Sequence, residues 1–223
     1  MEIPIIKLEL YRQNPGQFTQ ELDRARQTEK VAQISGLEQQ LVDDLYGYMQ
    51  QHAQEIHMPD ENSLGKNFYL QIFAFFPADD QEAYLLRSRP QLNQLVEGIN
   101  KNLAEIADAV ANACVSLYGS FKRPRGLTLL RYYQRHGLTF PKEKRKKVMV
   151  KRHKDIKASF VITPTASANG LQRCVNRRSV PLEPEKGHVL MWAGEDLESI
   201  SDVKPLYHQV VYPESDRYAL LYL

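Results

Sequence analysis

Two histidines, an aspartate and an arginine in the C-terminal half are spaced for metal chemistry. His153 and Asp155 stand two apart in "KRHKDIKASFVIT", at the head of an apolar, β-branched run. In a strand, residues i and i+2 point to one face, so this pair predicts an imidazole and a carboxylate aimed at one ion. His208, in "LYHQVVY", lies 53 residues beyond Asp155, and nine residues later Arg217 opens "RYALLYL". The intervening "YPESD", with Pro213 and Asp216, predicts a hairpin turn that brings His208 and Arg217 onto neighbouring strands. Two histidines and one carboxylate on a single face of Fe(II) leave three positions open, enough for a bidentate keto acid and dioxygen. A nearby guanidinium pairs bidentately with a distal carboxylate of such an acid. With 6 His and 11 Asp in 223 residues, chance supplies about 0.3 His-x-Asp pairs per chain. Requiring the later His and Arg at these offsets lowers the coincidence to about one in a hundred.

Such a constellation needs a sheet to hold it. After Gly119 the runs "LTLLRYY", "KVMV", "IKASFVIT", "LQRCV", "HVLMWA", "LYHQVVY" and "RYALLYL" are short, β-branched or aromatic, and separated by turn residues. Seven such strands predict a sandwich or barrel of the jelly-roll kind. The first 120 residues read mainly helical. "IPIIKLEL" alternates as an edge strand, "PGQFTQELDRARQ" opens a helix at Pro15, and "KVAQIS" is a short strand. Leu41, Val42, Leu45, Tyr48 and Met49 mark another helix. A long helix runs from Pro90 to Gly119, with Leu92, Leu95, Val96, Ile99, Leu103, Ile106, Val110, Cys114 and Leu117 as its apolar stripe. The expected organisation is one α+β domain over residues 1–223: a helical buttress over 1–120 and jelly-roll strands with the metal site over 121–223.

Composition sets the outer bounds. Hydrophobic residues make up 43% and charged residues 25%, ordinary values for a chain with a real core. The start, "MEIPIIKLEL", has no basic-then-apolar leader, and no uncharged apolar run reaches a membrane span, so a cytoplasmic chain without a membrane partner is expected. Cys114 and Cys174 form no metal spacing and read as buried thiols rather than a disulfide. The net charge of +2 conceals an asymmetry. Between Lys122 and Lys157 there are 14 Lys or Arg against Glu143 and Asp155 alone. That segment is either a solvated loop or an electrostatic funnel for an anion, and the stretch from Lys142 to Lys154 leads directly into the His-x-Asp pair.

The chain resembles the iron- and 2-oxoglutarate-dependent dioxygenases of the isopenicillin N synthase-like superfamily. "VAQISGLEQQLVDDLYGYMQQ" looks like that family's early strand and helix, "EIHMPDENSLGK" the segment closing the helix, and Pro90–Gly119 its long buttress. "LTLLRYY", "RHKDIKASFVIT", Gly170–Gln172 as "GLQ", and "VPLEPEKGHVLMWAGEDLESIS" resemble the strands around its site. The resemblance implies a double-stranded β-helix, Fe(II) held by His153, Asp155 and His208, and 2-oxoglutarate held by Arg217. It also implies that Tyr133, with Tyr132 as an adjacent alternative, hydrogen-bonds the co-substrate. Alternation with Tyr133 makes Arg131 a candidate to line the pocket and bind substrate. The implied reaction is oxidative decarboxylation of 2-oxoglutarate coupled to hydroxylation or oxidation of a small substrate, and the funnel reading of the basic segment would make that substrate an anion.

Departures are local. The family's last strand carries Arg-x-Ser; here Arg217-Tyr218-Ala219 lacks the hydroxyl, a loss worth roughly 1.5–3 kcal/mol for a hydrogen bond to a charged group. Gln209 stands where the family has arginine after the distal histidine. His188 reads as solvated, His52, His57 and His136 as structural, and Trp192 as core. Arg152 and Lys154 are expected to point away from the metal. Two alternatives stay open: an Fe(II) oxidase of the same fold that needs no 2-oxoglutarate, and a non-catalytic metal- or nucleic-acid-binding jelly roll. The basic segment lacks interleaved aromatics, which ranks nucleic acid last.

Overall fold

Helices open the chain because their caps and apolar stripes are in place. The computed structural model describes residues 3–56, 69–76, 86–119, 126, 128–134, 148–156, 158–176, 178–211 and 215–223. A short strand β1 (Ile5–Lys7) runs straight into α1 (Leu8–Gln13), so "IPIIKLEL" is a three-residue strand and then helix, rather than one strand. Leu8 turns into the core while Glu9 and Arg12 pair on the helix surface. Asn14 caps α2 (Pro15–Glu29), accepting from the Gln17 N–H at 3.1 Å with Pro15 in the first turn. The strand β2 (Val31–Ser35), α3 (Gln39–Gln51), α4 (Ala53–Ile56) and β3 (Tyr69–Phe76) follow. The long α5 (Pro90–Tyr118) starts at its proline and stops at Gly119, whose φ of 77° suits the terminating residue.

The remaining strands are β4 (Thr128–Gln134), β5 (Val148–His153), β6 (Phe160–Pro164), β7 (Leu171–Val175), β8 (Arg178–Pro181), β9 (His188–Ala193), β10 (His208–Val211) and β11 (Arg217–Tyr222). A single turn of helix, α6 (Glu195–Glu198), follows β9. Seven strands form the major sheet in the order β1-β2-β9-β6-β11-β4-β3, and four form the minor sheet in the order β5-β10-β7-β8. Every pairing is antiparallel except β1 with β2.

Alternation along the major sheet sorts its side chains. Phe160, Ile162, Met191, Tyr218, Leu220 and Tyr222 join the helices in one core, with Val96, Ile99 and Leu103 of α5 among their partners. Val161, Leu190, Trp192 and Leu221 point the other way and form the core between the sheets with Leu182 and Leu206. A smaller cluster of Met149, Val210 and Ala219 joins β5 and β10 of the minor sheet to β11 of the major one.

Three expectations change. The mainly helical first half gives the major sheet β3 besides the expected strands β1 and β2, and β3 and β8 are both strands that the sequence pattern leaves out. The run "IKASFVIT" is a strand only from Phe160; residues before it cross from one sheet to the other. His208 and Arg217 do not open neighbouring strands, because β10 belongs to the minor sheet and β11 to the major sheet. Residues 212–214 of the expected turn lie outside the described residues.

Candidate metal centre

His153 is the last residue of β5 and His208 the first of β10, and the two face each other across an antiparallel pair. Their rings lie 4.3 Å apart between centroids. Asp155 is not on the strand with His153. It sits in the crossing between the sheets, so the chain's change of direction, and not strand alternation, brings the two together. One ligand atom from each of His153, Asp155 and His208 lies within 4.8 Å of the others. His208 is 3% exposed and its Nε2 stands 3.7 Å from Asp155 Oδ2.

Hydrogen bonds fix which nitrogen of each ring faces the centre. His153 Nδ1 lies 2.8 Å from the Lys151 carbonyl, and His208 Nδ1 lies 3.2 Å from the Leu206 carbonyl. A carbonyl only accepts, so both Nδ1 atoms carry the proton and both Nε2 lone pairs point elsewhere. Burial pushes the His208 imidazole below its ordinary value; the Asp155 carboxylate opposes that shift, and the charge of Arg131 adds to it. His208 is therefore neutral near pH 7, the form that can ligate.

Asp155 is held from two sides. The Trp192 indole N–H donates to Oδ2 at 2.7 Å, and the same ring packs 5.3 Å from His208. Trp192 is therefore core, as its type suggests, and also a fixed donor to the carboxylate. A Trp six residues ahead of a helix end carries no sequence signal for that contact. The backbone of the crossing is clamped by three bonds: Glu195 N to Asp155 O at 2.9 Å, Asp196 N to Ala158 O and Gly194 N to Ser159 O at 3.0 Å. A Cβ on Gly194 would meet the Ala158 oxygen at 2.2 Å, so only glycine lets the segments approach this closely. Its φ of −95° is open to any residue; the space is the constraint.

Flanking cations are engaged in the scaffold. Lys154 Nζ pairs with Glu195 at 2.9 Å and Glu198 at 3.0 Å, and the Arg152 guanidinium lies 4.7 Å above the Tyr207 ring. Both point away from the centre as expected. These two members of the basic stretch thus serve the fold, while residues 142–147 lie outside the described residues. Arg173, missed by the sequence reading, stands opposite His208 on β7 and is tied at 2.9 Å to Glu29 at the end of α2, with both side chains largely buried. Its signal was weak: a single arginine in an otherwise ordinary strand.

Arg217 is 4% exposed on the inner face of β11, its Nε donating to the Ala168 carbonyl at 3.0 Å. Gly170 makes room beside it. A Cβ there would come within 3.0 Å of the Val211 oxygen and 3.7 Å of Arg217 Cδ, and its φ of 148° is itself a glycine conformation. That is the physical content of "GLQ". Behind the strand, the Tyr46 hydroxyl accepts from Leu220 N and the Tyr218 hydroxyl donates to the Met49 carbonyl, pinning β11 to α3. Tyr133 stands directly opposite Arg217 in the β4–β11 register, and Arg131 opposite Ala219. His188 opens β9 rather than occupying a turn, with Nδ1 at 3.0 Å from the Lys186 carbonyl. The His52 ring packs tilted against Tyr48, 4.4 Å between centroids; His57 and His136 lie outside the described residues. Cys114 is buried and Cys174 partly exposed, and both are free thiols.

By sequence, no family model and no curated protein matches the chain. By structure it is similar to a 2OG-Fe(II) oxygenase family protein from Caulobacter crescentus, with a TM-score of 0.68 and 17% identity over 99% of this chain and 85% of that one. It is similar to dioxygenase for auxin oxidation 1 from Arabidopsis thaliana in its 2-oxoglutarate complex, at 0.67 and 15% over 100% and 92%. JOX2 in complex with 2OG, Fe and JA matches at 0.69 and 14% over 100% and 74%. At such identities the likeness defines a fold: the double-stranded β-helix of the 2-oxoglutarate oxygenases, buttressed by helices.

Proposed function

We propose that the chain is a non-haem Fe(II)- and 2-oxoglutarate-dependent oxygenase, acting on a small anionic substrate with dioxygen. The observation that carries this reading is the convergence of His153, Asp155 and His208 ligand atoms within 4.8 Å, with both imidazoles presenting Nε2. This donor set suits ferrous iron: two neutral nitrogens and one carboxylate, leaving further positions open. When bound, iron supplies the redox chemistry that activates dioxygen at the expense of 2-oxoglutarate. The chain's own residues do the rest. Trp192 donates to Oδ2 of Asp155, the oxygen that faces His208 Nε2, and so fixes the orientation of the carboxylate. Burial keeps His208 unprotonated. Arg217, fixed through Ala168, offers a guanidinium to the distal carboxylate of the co-substrate, with Tyr133 across the register as a further donor. The solved structures of this fold that hold 2-oxoglutarate lend support.

In this reading residues 1–223 form one domain and the protein works in the cytoplasm, in keeping with two free thiols and no helix long and apolar enough to cross a membrane among the described residues. The test is succinate release from 2-oxoglutarate by anaerobically iron-loaded protein on exposure to air. Asp155→Ala is expected to lose both iron and turnover. Arg217→Lys is expected to keep iron and bind the co-substrate about ten-fold or more weakly, since a point charge replaces a planar fork. Unchanged iron stoichiometry in Asp155→Ala would sink the ligand assignment. Ala219, 3% exposed where a hydroxyl donor is usual, favours one second reading, an iron oxidase that uses no 2-oxoglutarate. Turnover of a substrate without succinate would select it.

A further inference from the structure

A single carboxylate outside the metal centre is tied to both stretches of chain that carry the proposed ligands. Glu198 closes the one-turn helix α6, and its two oxygens take different partners. Oε2 accepts from Lys154 Nζ at 3.0 Å, and Oε1 accepts from Lys204 Nζ at 3.4 Å. Lys154 stands between His153 and Asp155 in the chain, and Lys204 stands four residues before His208. The two lysines hold the Glu198 carboxyl below its ordinary value, Lys154 the more strongly, so it is charged at neutral pH.

The helix that carries Glu198 is a fixed point. Leu197 beside it is buried in the helical core, and Ser201 Oγ donates to the Leu197 carbonyl at 2.7 Å. Gly194, just before α6, packs tightly on Ala158. The stretch from α6 to β10 contains no strand. Val203 and Leu206 anchor it in the two cores, and its one backbone bond to β9, from Leu206 N to Ala193 O, spans 3.4 Å. The Leu206 carbonyl then orients His208 through Nδ1. A shift of this stretch therefore turns the imidazole. On the other side, Lys154 cannot move without its chain neighbours, since consecutive Cα atoms are about 3.8 Å apart.

We infer that Glu198 is a positioning residue for the metal centre: its two ion pairs set the separation between the His153–Asp155 arm and the His208 arm. The inference rests on the proposed metal site and adds to it a residue that is not itself a ligand. Exposure bounds the effect. The Lys154 and Glu198 side chains are 26% and 27% exposed and Lys204 is 64% exposed, so the Lys154 pair carries the larger share. Partly exposed ion pairs are each worth a factor of about 1.4 to 5. Their combined effect is smaller than the roughly 10- to 100-fold of a group bonded directly to a ligand, such as Trp192.

The test is a competitive chelator titration of Fe(II) under anaerobic conditions, with the Co(II) absorption spectrum as a second reading of ligand geometry. Glu198→Gln keeps the size and removes the charge. It is expected to weaken Fe(II) about 2- to 10-fold and to shift the Co(II) bands. Lys204→Gln changes only the exposed end of the bridge, which guards against a folding defect, and is expected to weaken Fe(II) about 2-fold. The double variant is expected to be no weaker than Glu198→Gln alone, because both changes act through one carboxylate. Salt screens such pairs, so the gap between parent and Glu198→Gln should narrow as ionic strength rises towards about 1 M. Parent-like affinity and spectrum in both single variants would overturn the inference. Strict additivity in the double variant, or an affinity gap indifferent to salt, would overturn it too. A parent protein that binds neither ion would instead remove the metal-site reading itself.

Discussion

At the scale of single residues, the centre depends on groups that never touch the ion. Trp192 is the clearest, because its N–H occupies the Asp155 oxygen nearest His208. Trp192→Phe keeps most of the buried ring and removes only the donor. Partners of metal ligands typically contribute 10- to 100-fold to metal affinity, so iron is expected to bind about that much more weakly while the melting temperature shifts little. Equal affinities in a competitive chelator titration would rule out this role. His208 sets a pH signature. Burial lowers its folded value below the usual 6.5, so between that lowered value and about 6.5 the unfolded chain binds more protons than the folded one. Its contribution to stability is complete above about pH 6.5 and is lost as pH falls towards the lowered value. Urea unfolding of metal-free protein from pH 8 to 5 measures that slope, and His208→Gln should flatten it. A parallel slope in the variant would assign the pH dependence elsewhere.

At the scale of elements, what was legible in the sequence was whatever local chemistry decides. Pro90 and Gly119 bound α5 because a proline suits the first helical turn and a glycine the terminating conformation. The short runs from Leu171 and Arg217 are strands bounded by turn residues, the first half-buried and the second, rich in Leu and Tyr, buried on both faces. Sheet membership was not legible. Nothing within "RHKDIKASF" says that the chain leaves the minor sheet after His153 and enters the major sheet at Phe160, since that is decided by pairing with β10 and β9 far along the chain. The convergence of His153, Asp155 and His208 was still legible, because a crossing and a strand both allow i and i+2 to converge. The hairpin between His208 and Arg217 was not, for the same long-range reason. Gly194 belongs to this scale. Gly194→Ala puts a methyl group into the Ala158 carbonyl, so the cost is expected at or above the roughly 1–3 kcal/mol of ordinary overpacking. The displaced crossing should also loosen Asp155. Denaturant unfolding and iron titration together check this; a variant as stable as the parent, with parent-like iron affinity, would mean that the clamp is dispensable.

At the scale of the whole molecule, charge is divided unevenly, and Lys144, Arg145, Lys146 and Lys147 form the densest part. Replacing all four with Gln should leave kcat near the parent value while kcat/KM for an anionic substrate falls and loses its salt dependence, as steering fades over a Debye length of about 8 Å at physiological ionic strength. A kcat/KM indifferent to both salt and the replacements would make the segment an ordinary solvated loop. The crossing at Asp155 has a different consequence, in time rather than in affinity. The three proposed ligands come from the minor sheet and from the bridge leading out of it, and His208 lies 53 residues along the chain from Asp155. An ion can be held by all three only after that long loop has closed and both sheets have met. Iron would then bind too late to quicken folding, and its free energy would fall almost wholly on the unfolding rate, lengthening the life of the native state without hastening its arrival.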